Sequence, residues 1–203
     1  MAAAPALILV PPVRQSRGVE DLDEATVERA RRGDHAAFRD VVVRYQRPVH
    51  ALLGRVLPGV ASAAMIEELA QEVFLRVYRG LPAFVARGPG RLRKWILTIA
   101  MHLAIDLLRE RRLPEQPFSD QQLEGAARAD EVTTRRSIGR AIERAVAALP
   151  EEQRVVFLLR EYEGFDYDDI ARTLGIDLGT VKSRLFRARA ALRTALSEVN
   201  REG

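Results

Sequence analysis

Six basic side chains, Lys182, Arg184, Arg187, Arg189, Arg193 and Arg201, fall within residues 178–201, against one acid, Glu198. The preceding residues 151–177 are rich in acids. The overall net charge of +4 hides this asymmetry, which turns one face toward a polyanion. In "LGTVKSRLFRARAALR", Val181, Leu185, Ala188 and Leu192 recur at the spacing of a buried helical stripe. Lys182, Ser183, Phe186 and Arg187 make a second patch near the helix start. These residue types can read bases. Arginine pairs with guanine O6 and N7, serine with either partner, and an aromatic ring rests on a thymine methyl. Arg184, Arg189 and Arg193 are placed to neutralise phosphates, and Thr180 in the first turn joins the DNA-facing set. A merely solvated basic face is the competing interpretation of the composition.

The elements before this helix favour DNA. Asp166 can start a short helix over "YDDIARTLG", with Asp169 as capping-box partner. Ile170, Ala171 and Leu174 share a face, and Ala171 is small where two helix backbones must approach. Gly175 suits a left-handed stop, Asp177 can cap the long helix, and Ile176, Val181 and Leu185 complete the seam. Two helices joined through a glycine turn, the second one basic, form a helix-turn-helix.

The rest of the chain must position that motif. With 203 residues and 47% hydrophobic content it can bury one modest core or two small ones. The absence of cysteine excludes disulfides and thiolate metal sites and suits a reducing cytoplasm. No apolar run approaches the roughly 18 residues of a membrane span. Residues 1–22 are expected to be a disordered leader. The run from Ala6 to Val10 lacks a cationic flank and stops at Pro11 and Pro12, so it makes a poor signal peptide.

Helical periodicity fills residues 23–112 and 137–199, so the fold class is all-α: two small helical domains joined by a flexible linker, residues 113–136. In the first domain, 23–112, Asp23, Asp34 and Ser62 are candidate caps, and Pro48 should kink or divide the second helix. Expected inward stripes are Phe38, Val41, Val42, Tyr45, Val49, Leu52, Leu53 and Val56, then Ile66, Leu69, Val73, Leu75 and Val77. Trp95, Ile96, Ile99, Leu103, Leu107 and Leu108 follow in the last helix, with Trp95 read as core rather than as a platform for an unpaired base. The second domain, 137–203, opens with a helix before Pro150 and continues with one from Glu151 to Gly164.

An enzyme is disfavoured. The three histidines, His35, His50 and His102, are far apart in sequence, and "ARGPGRL" lacks the spacing of a phosphate loop. No cofactor, metal or small-molecule substrate is expected. A free-standing helix-turn-helix regulator would need an effector or receiver domain in front, and the first block lacks alternating strands.

"EELAQEVFLRVYRGLPAF", "WILTIAMHLAIDLLRERR" and "LPEEQRVVFLLREYEGFDYDDIARTLGIDLGTVKSRLFRARAALR" occur in that order. The ordered set resembles the extracytoplasmic-function (group IV) sigma factors of bacterial RNA polymerase, over roughly residues 24–112 and 137–198. The resemblance implies a region 2 domain and a region 4 domain without the middle domain of primary sigma factors. It implies binding to core RNA polymerase and promoter DNA, and control by an anti-sigma protein, often membrane-anchored. By match to the family's pattern, Leu69, Gln71, Glu72, Leu75 and Arg76 would grip the clamp helices of the polymerase's largest subunit. The "WILTIAMHLAIDLLRERR" helix would read the minus-10 element. His102 would face the flipped base, and Arg91, Arg93, Lys94, Arg109, Arg111 and Arg112 would supply a track for the single strand. The chain departs from the family in carrying Met101-His102 where many members have arginine-asparagine. Lys182, Ser183, Phe186 and Arg187 coincide with the family's minus-35 reading positions. The linker would run through the RNA exit path.

Overall fold

The computed structural model describes residues 21–85, 90–112 and 134–199, with side chains undescribed at 112, 134–138, 198 and 199. These residues fall into two compact units, 21–112 and 134–199, and no strand occurs among them.

The first unit is built around α2 (His35–Val56), which packs against α1 (Glu24–Arg31), α3 (Ala63–Gly80) and α4 (Arg91–Arg112). Short side chains start the helices as expected. Asp23 accepts from Thr26 N–H at 2.8 Å, Asp34 from Ala36 and Ala37 N–H at 2.8 and 3.1 Å, and Ser62 from Met65 N–H at 3.2 Å. Val41, Tyr45, Val49, Leu52, Leu53 and Val56 of α2 form the core with Ala70, Val73 and Val77 of α3. From α4 come Leu92, Ile96, Leu97, Ala100, Met101 and Ala104. A 3-10 turn at Leu81–Ala83 closes α3.

Several details differ from expectation. Pro48 does not divide α2. An interior proline costs about 3 kcal/mol, and burial of Val41, Tyr45, Val49 and Leu52 on either side of it offsets that loss. Phe38 and Val42 are only half-buried, and so are Ile66 and Leu69. Leu75 is not inward at all, being 42% exposed, and Ala70 takes the core position. In α4 the buried face is rotated toward Leu97, Ala100, Met101 and Ala104, leaving Trp95, Ile99 and Leu107 half-buried. The Trp95 ring stacks on Phe84 with centroids 4.9 Å apart. It also covers Gly80, where an added Cβ would lie 3.0 Å from it. The unit starts before residue 23, because Asp21 is hydrogen-bonded to Tyr45 of α2. The rest of the expected leader lies outside the described residues, as does most of the expected linker.

The second unit contains α5 (Thr134–Ala147), α6 (Glu151–Phe157), α7 (Tyr167–Leu174) and α8 (Leu178–Val199). α8 packs on the other three. α5 begins three residues before the expected Ser137. α6 is not one regular helix to Gly164, since it runs into a π-helical turn at Leu158–Tyr162. There Glu163 N–H donates to the Leu158 carbonyl at 3.1 Å. The turn buries Leu158, Leu159 and Tyr162 together. Arg154 is buried, and its guanidinium donates to the carbonyls of Ala147 and Leu149 at 3.0 Å each, closing the end of α5.

Candidate nucleic-acid and protein interfaces

The turn between α7 and α8 has the expected chemistry. Asp166 accepts from Asp169 N–H at 2.7 Å, and the Asp169 carboxylate lies against Arg172. Gly175 has φ +63°, and Ile176 N–H donates to the Ala171 carbonyl at 3.1 Å. Asp177 accepts from Thr180 N–H at 2.8 Å and from its hydroxyl at 2.6 Å. Those two bonds hold the Asp177 carboxyl below its ordinary pKa. An added Cβ at Gly179 would meet Asp177 Oδ1 at 2.9 Å, so a larger residue there would push the carboxylate from its capping position. The Thr180 hydroxyl, expected in the DNA-facing set, is engaged in this exposed cap.

Beyond the cap, α8 has two faces. Val181, Leu185, Ala188 and Leu192 are buried against the unit. Lys182, Phe186 and Arg187 are exposed, Phe186 to 73%, and Ser183 is half-buried with its hydroxyl donating to the Thr180 carbonyl at 3.0 Å. An exposed phenylalanine between two cations, opposite a dry seam, is a surface suited to base edges and methyl groups.

Arg184 and Arg189 sit elsewhere than expected. At 100° per residue they occupy the shoulders of the buried stripe, and both turn back onto the preceding helical segment. Arg184 pairs with Glu152 at 2.7 Å and Arg189 with Glu161 at 2.5 Å. The Glu161 carboxylate raises the Arg189 pKa further. These two arginines brace α8 on its own unit, while Lys182, Arg187 and Arg193 are exposed. The acids of residues 151–177 provided the signal for this arrangement.

In the first unit the candidate minus-10 residues do not form one cluster. α4 has 22 residues, a length of about 33 Å. Arg91, Arg93 and Lys94 stand at one end, Arg109, Arg111 and Arg112 at the other, and His102 between them. Helical spacing puts Arg91, Trp95, Thr98, His102 and Arg109 on one outer stripe. Arg91, His102 and Arg109 are exposed, and Trp95 and Thr98 half-buried. Arg93 is half-buried off this stripe, and Arg111 directs a guanidinium N–H toward Met65 Sδ at 3.5 Å. Arg109 lies 3.9 Å from Asp106. The side chain of Arg112 is outside the described residues. Met101 is fully buried beside the exposed His102, so of that pair only the histidine is presented outward.

Two of the five candidate clamp-binding residues border an open groove of about 390 Å³ between α2 and α3. Gln71 and Leu75 line it. Glu72 and Arg76, paired at 2.8 Å, and the half-buried Leu69 lie around the helix from it, on a separate outer face of α3. Phe38 and Val42, expected in the core, line the groove instead, and so do Phe74 and Tyr78, which the periodicity did not single out. Tyr78 is exposed and packs edge-on against Phe38 at 5.0 Å. At the polar end, His50 Nδ1 is 2.8 Å from the Gln46 carbonyl and Nε2 is 2.7 Å from Glu67 Oε2. Both partners only accept, so the geometry suits the imidazolium. Partial burial opposes the charge, but the bonds to Gln46 and Glu67 outweigh it and hold the His50 pKa above its ordinary value.

No helix among the described residues is long and apolar enough to cross a membrane. Residues 41–113 match the model of sigma-70 region 2, and residues 139–192 that of sigma-70 region 4. The chain is 34% identical over 194 residues to the RNA polymerase sigma-H factor of Pseudomonas aeruginosa, an alignment covering 90% of this chain and 98% of that one. It is 32% identical to the ECF RNA polymerase sigma-E factor of Escherichia coli K12, over 84% of this chain and 92% of the relative. Among solved structures, the Bartonella quintana sigma factor RpoE, crystallised with the anti-sigma factor NepR, shares the fold. Its TM-score is 0.60 at 21% identity, over 79% of this chain and 96% of that chain. CnrH, solved with the cytosolic domain of CnrY, gives 0.59 at 22% identity, over 88% and 99%. A two-domain, all-helical chain with regions 2 and 4 in order, and relatives matched over nearly their whole length, belongs to the extracytoplasmic-function sigma factors of the sigma-70 family.

Proposed function

We propose that this sigma factor reads the minus-35 element through Lys182, Ser183, Phe186 and Arg187 of α8, with Arg193 on phosphate. The outer stripe of α4 at Arg91, His102 and Arg109, with Lys94 beside it, engages the non-template strand at minus-10. Gln71 and Leu75 at the α2–α3 groove, with Glu72 and Arg76 on the adjoining outer face of α3, take the clamp helices of core RNA polymerase. The observation that carries this reading is the division of α8 into a dry seam and an exposed Lys-Phe-Arg patch.

The chain acts as an alternative, signal-responsive sigma factor in the cytoplasm. It contributes no covalent chemistry of its own and takes no cofactor or small-molecule substrate; specificity and strand opening are its parts of initiation. An anti-sigma protein restrains it, and a membrane-anchored one would hold it at the inner membrane. Run-off transcription with core polymerase on a randomised promoter library tests the proposal. Transcripts should arise from templates sharing two motifs at fixed spacing, and only with both proteins present. Tight footprinting of a palindrome by the chain alone would instead identify a free-standing regulator.

A further inference from the structure

Asp21 lies just before α1, outside every motif used above, yet its carboxylate joins two distant parts of the first unit. The Tyr45 hydroxyl, on a side chain only 1% exposed in the middle of α2, donates to Asp21 Oδ1 at 3.2 Å. The other oxygen, Oδ2, accepts from the backbone N–H of Gly90. Gly90 has φ +73°, and its carbonyl accepts from Lys94 N–H at 3.1 Å, so it is the residue at which α4 begins. An N–H at a helix start, which has no partner within the helix, is satisfied, and a negative charge stands where the helix dipole favours one. Burial, followed by the Asp21 charge, pushes the Tyr45 pKa up to about 12, which keeps its hydroxyl a donor at any physiological pH.

We infer that Asp21 is a positioning residue for promoter opening, clasping the start of α4 to α2 so that the cations of its first turn meet the separated strand in register. Without the clasp, the N–H of the left-handed Gly90 loses this acceptor, and the entry to α4 depends on packing farther along the helix. The inference rests on the reading that α4 engages minus-10 DNA.

The test uses the full chain with core polymerase and compares Asp21→Ala, Tyr45→Phe, the double variant and Asp21→Asn. Three quantities are measured: polymerase affinity, permanganate reactivity of unpaired thymines on a duplex promoter, and binding to a template already unpaired at minus-10. Loss of the charge-assisted bond should lower opening by Asp21→Ala about 5- to 20-fold. Polymerase affinity should stay within about twofold. The defect should persist on the unpaired template, because the strand must still be captured there. Asp21→Asn, which keeps one acceptor, should recover part of the activity, and Tyr45→Phe should add little to Asp21→Ala. A defect that vanishes on the unpaired template, or that tracks an equal loss of polymerase affinity, overturns the inference. Combined Arg91→Ala and Lys94→Ala separates it from the underlying reading. If that variant opens promoters normally, α4 is not the reader. If it fails while Asp21→Ala works normally, the clasp alone is refuted.

Discussion

The two units present their surfaces in opposite ways. In the second, one helix carries everything: α8 has the seam, the patch and, on its shoulders, the arginines that hold it to the α6 segment. In the first, no helix is sufficient. The groove needs α2 and α3 together, and the outer stripe of α4 spreads its cations over most of the helix length. A face borne by a single helix can be moved or lost as a block. One assembled from several helices depends on their packing, and single substitutions should be absorbed more gently.

The contrast can be broken most sharply in the seam. Leu185→Ala removes a side chain 1% exposed under the reading patch, at a cost of about 2–5 kcal/mol. Thermal unfolding should show loss of the second unit with the first still folded; coincident loss of both would mean that the units are not independent. Next comes Arg187→Ala, expected to cost about 1–3 kcal/mol of minus-35 discrimination. Promoter competition reads this, polymerase affinity being unchanged; equal use of matched and mismatched promoters by both forms removes Arg187 from the reading set. Leu75→Ala should weaken the polymerase complex by about 1–2 kcal/mol, as for a moderate interface anchor, and leave the melting temperature alone. Co-purification at wild-type yield would send the search along α3 to Phe74 and Tyr78.

The smallest effect is a titration. His50 has a raised pKa, so its pairing with Glu67 is fully present below the ordinary histidine value and is lost as pH rises through the folded one. NMR of the imidazole should place its midpoint above that of a free histidine. Between mildly acidic and mildly alkaline pH, stability should fall by a fraction of a kcal/mol. A midpoint at or below the free value would mean that the Glu67 contact does not persist in solution.

Legibility follows the same division. The turn and seam of the second unit could be read because each requirement, a cap at Asp166 and Asp177, a left-handed Gly175 and a four-three-four stripe, is local in the chain. The ties of Arg184 and Arg189 to Glu152 and Glu161 are not, since the partners lie 32 and 28 residues away. In α4 the apolar residues outnumber those one face can bury, so periodicity could not decide between Trp95 and Leu97 as core. Pro48 signals a break, but packing on neighbouring helices overrode it. Asp21 gave no pattern at all, because its partners are 24 and 69 residues distant.

The widened turn at Leu158–Tyr162 makes the spacing of the second unit rigid in number as well as in kind. It accommodates one surplus residue without breaking the helix. Removing one of those five positions would let the segment relax into ordinary helix and change which of Leu158, Leu159 and Tyr162 can be buried together. Length, at this point in the chain, is therefore under the same constraint as side-chain identity.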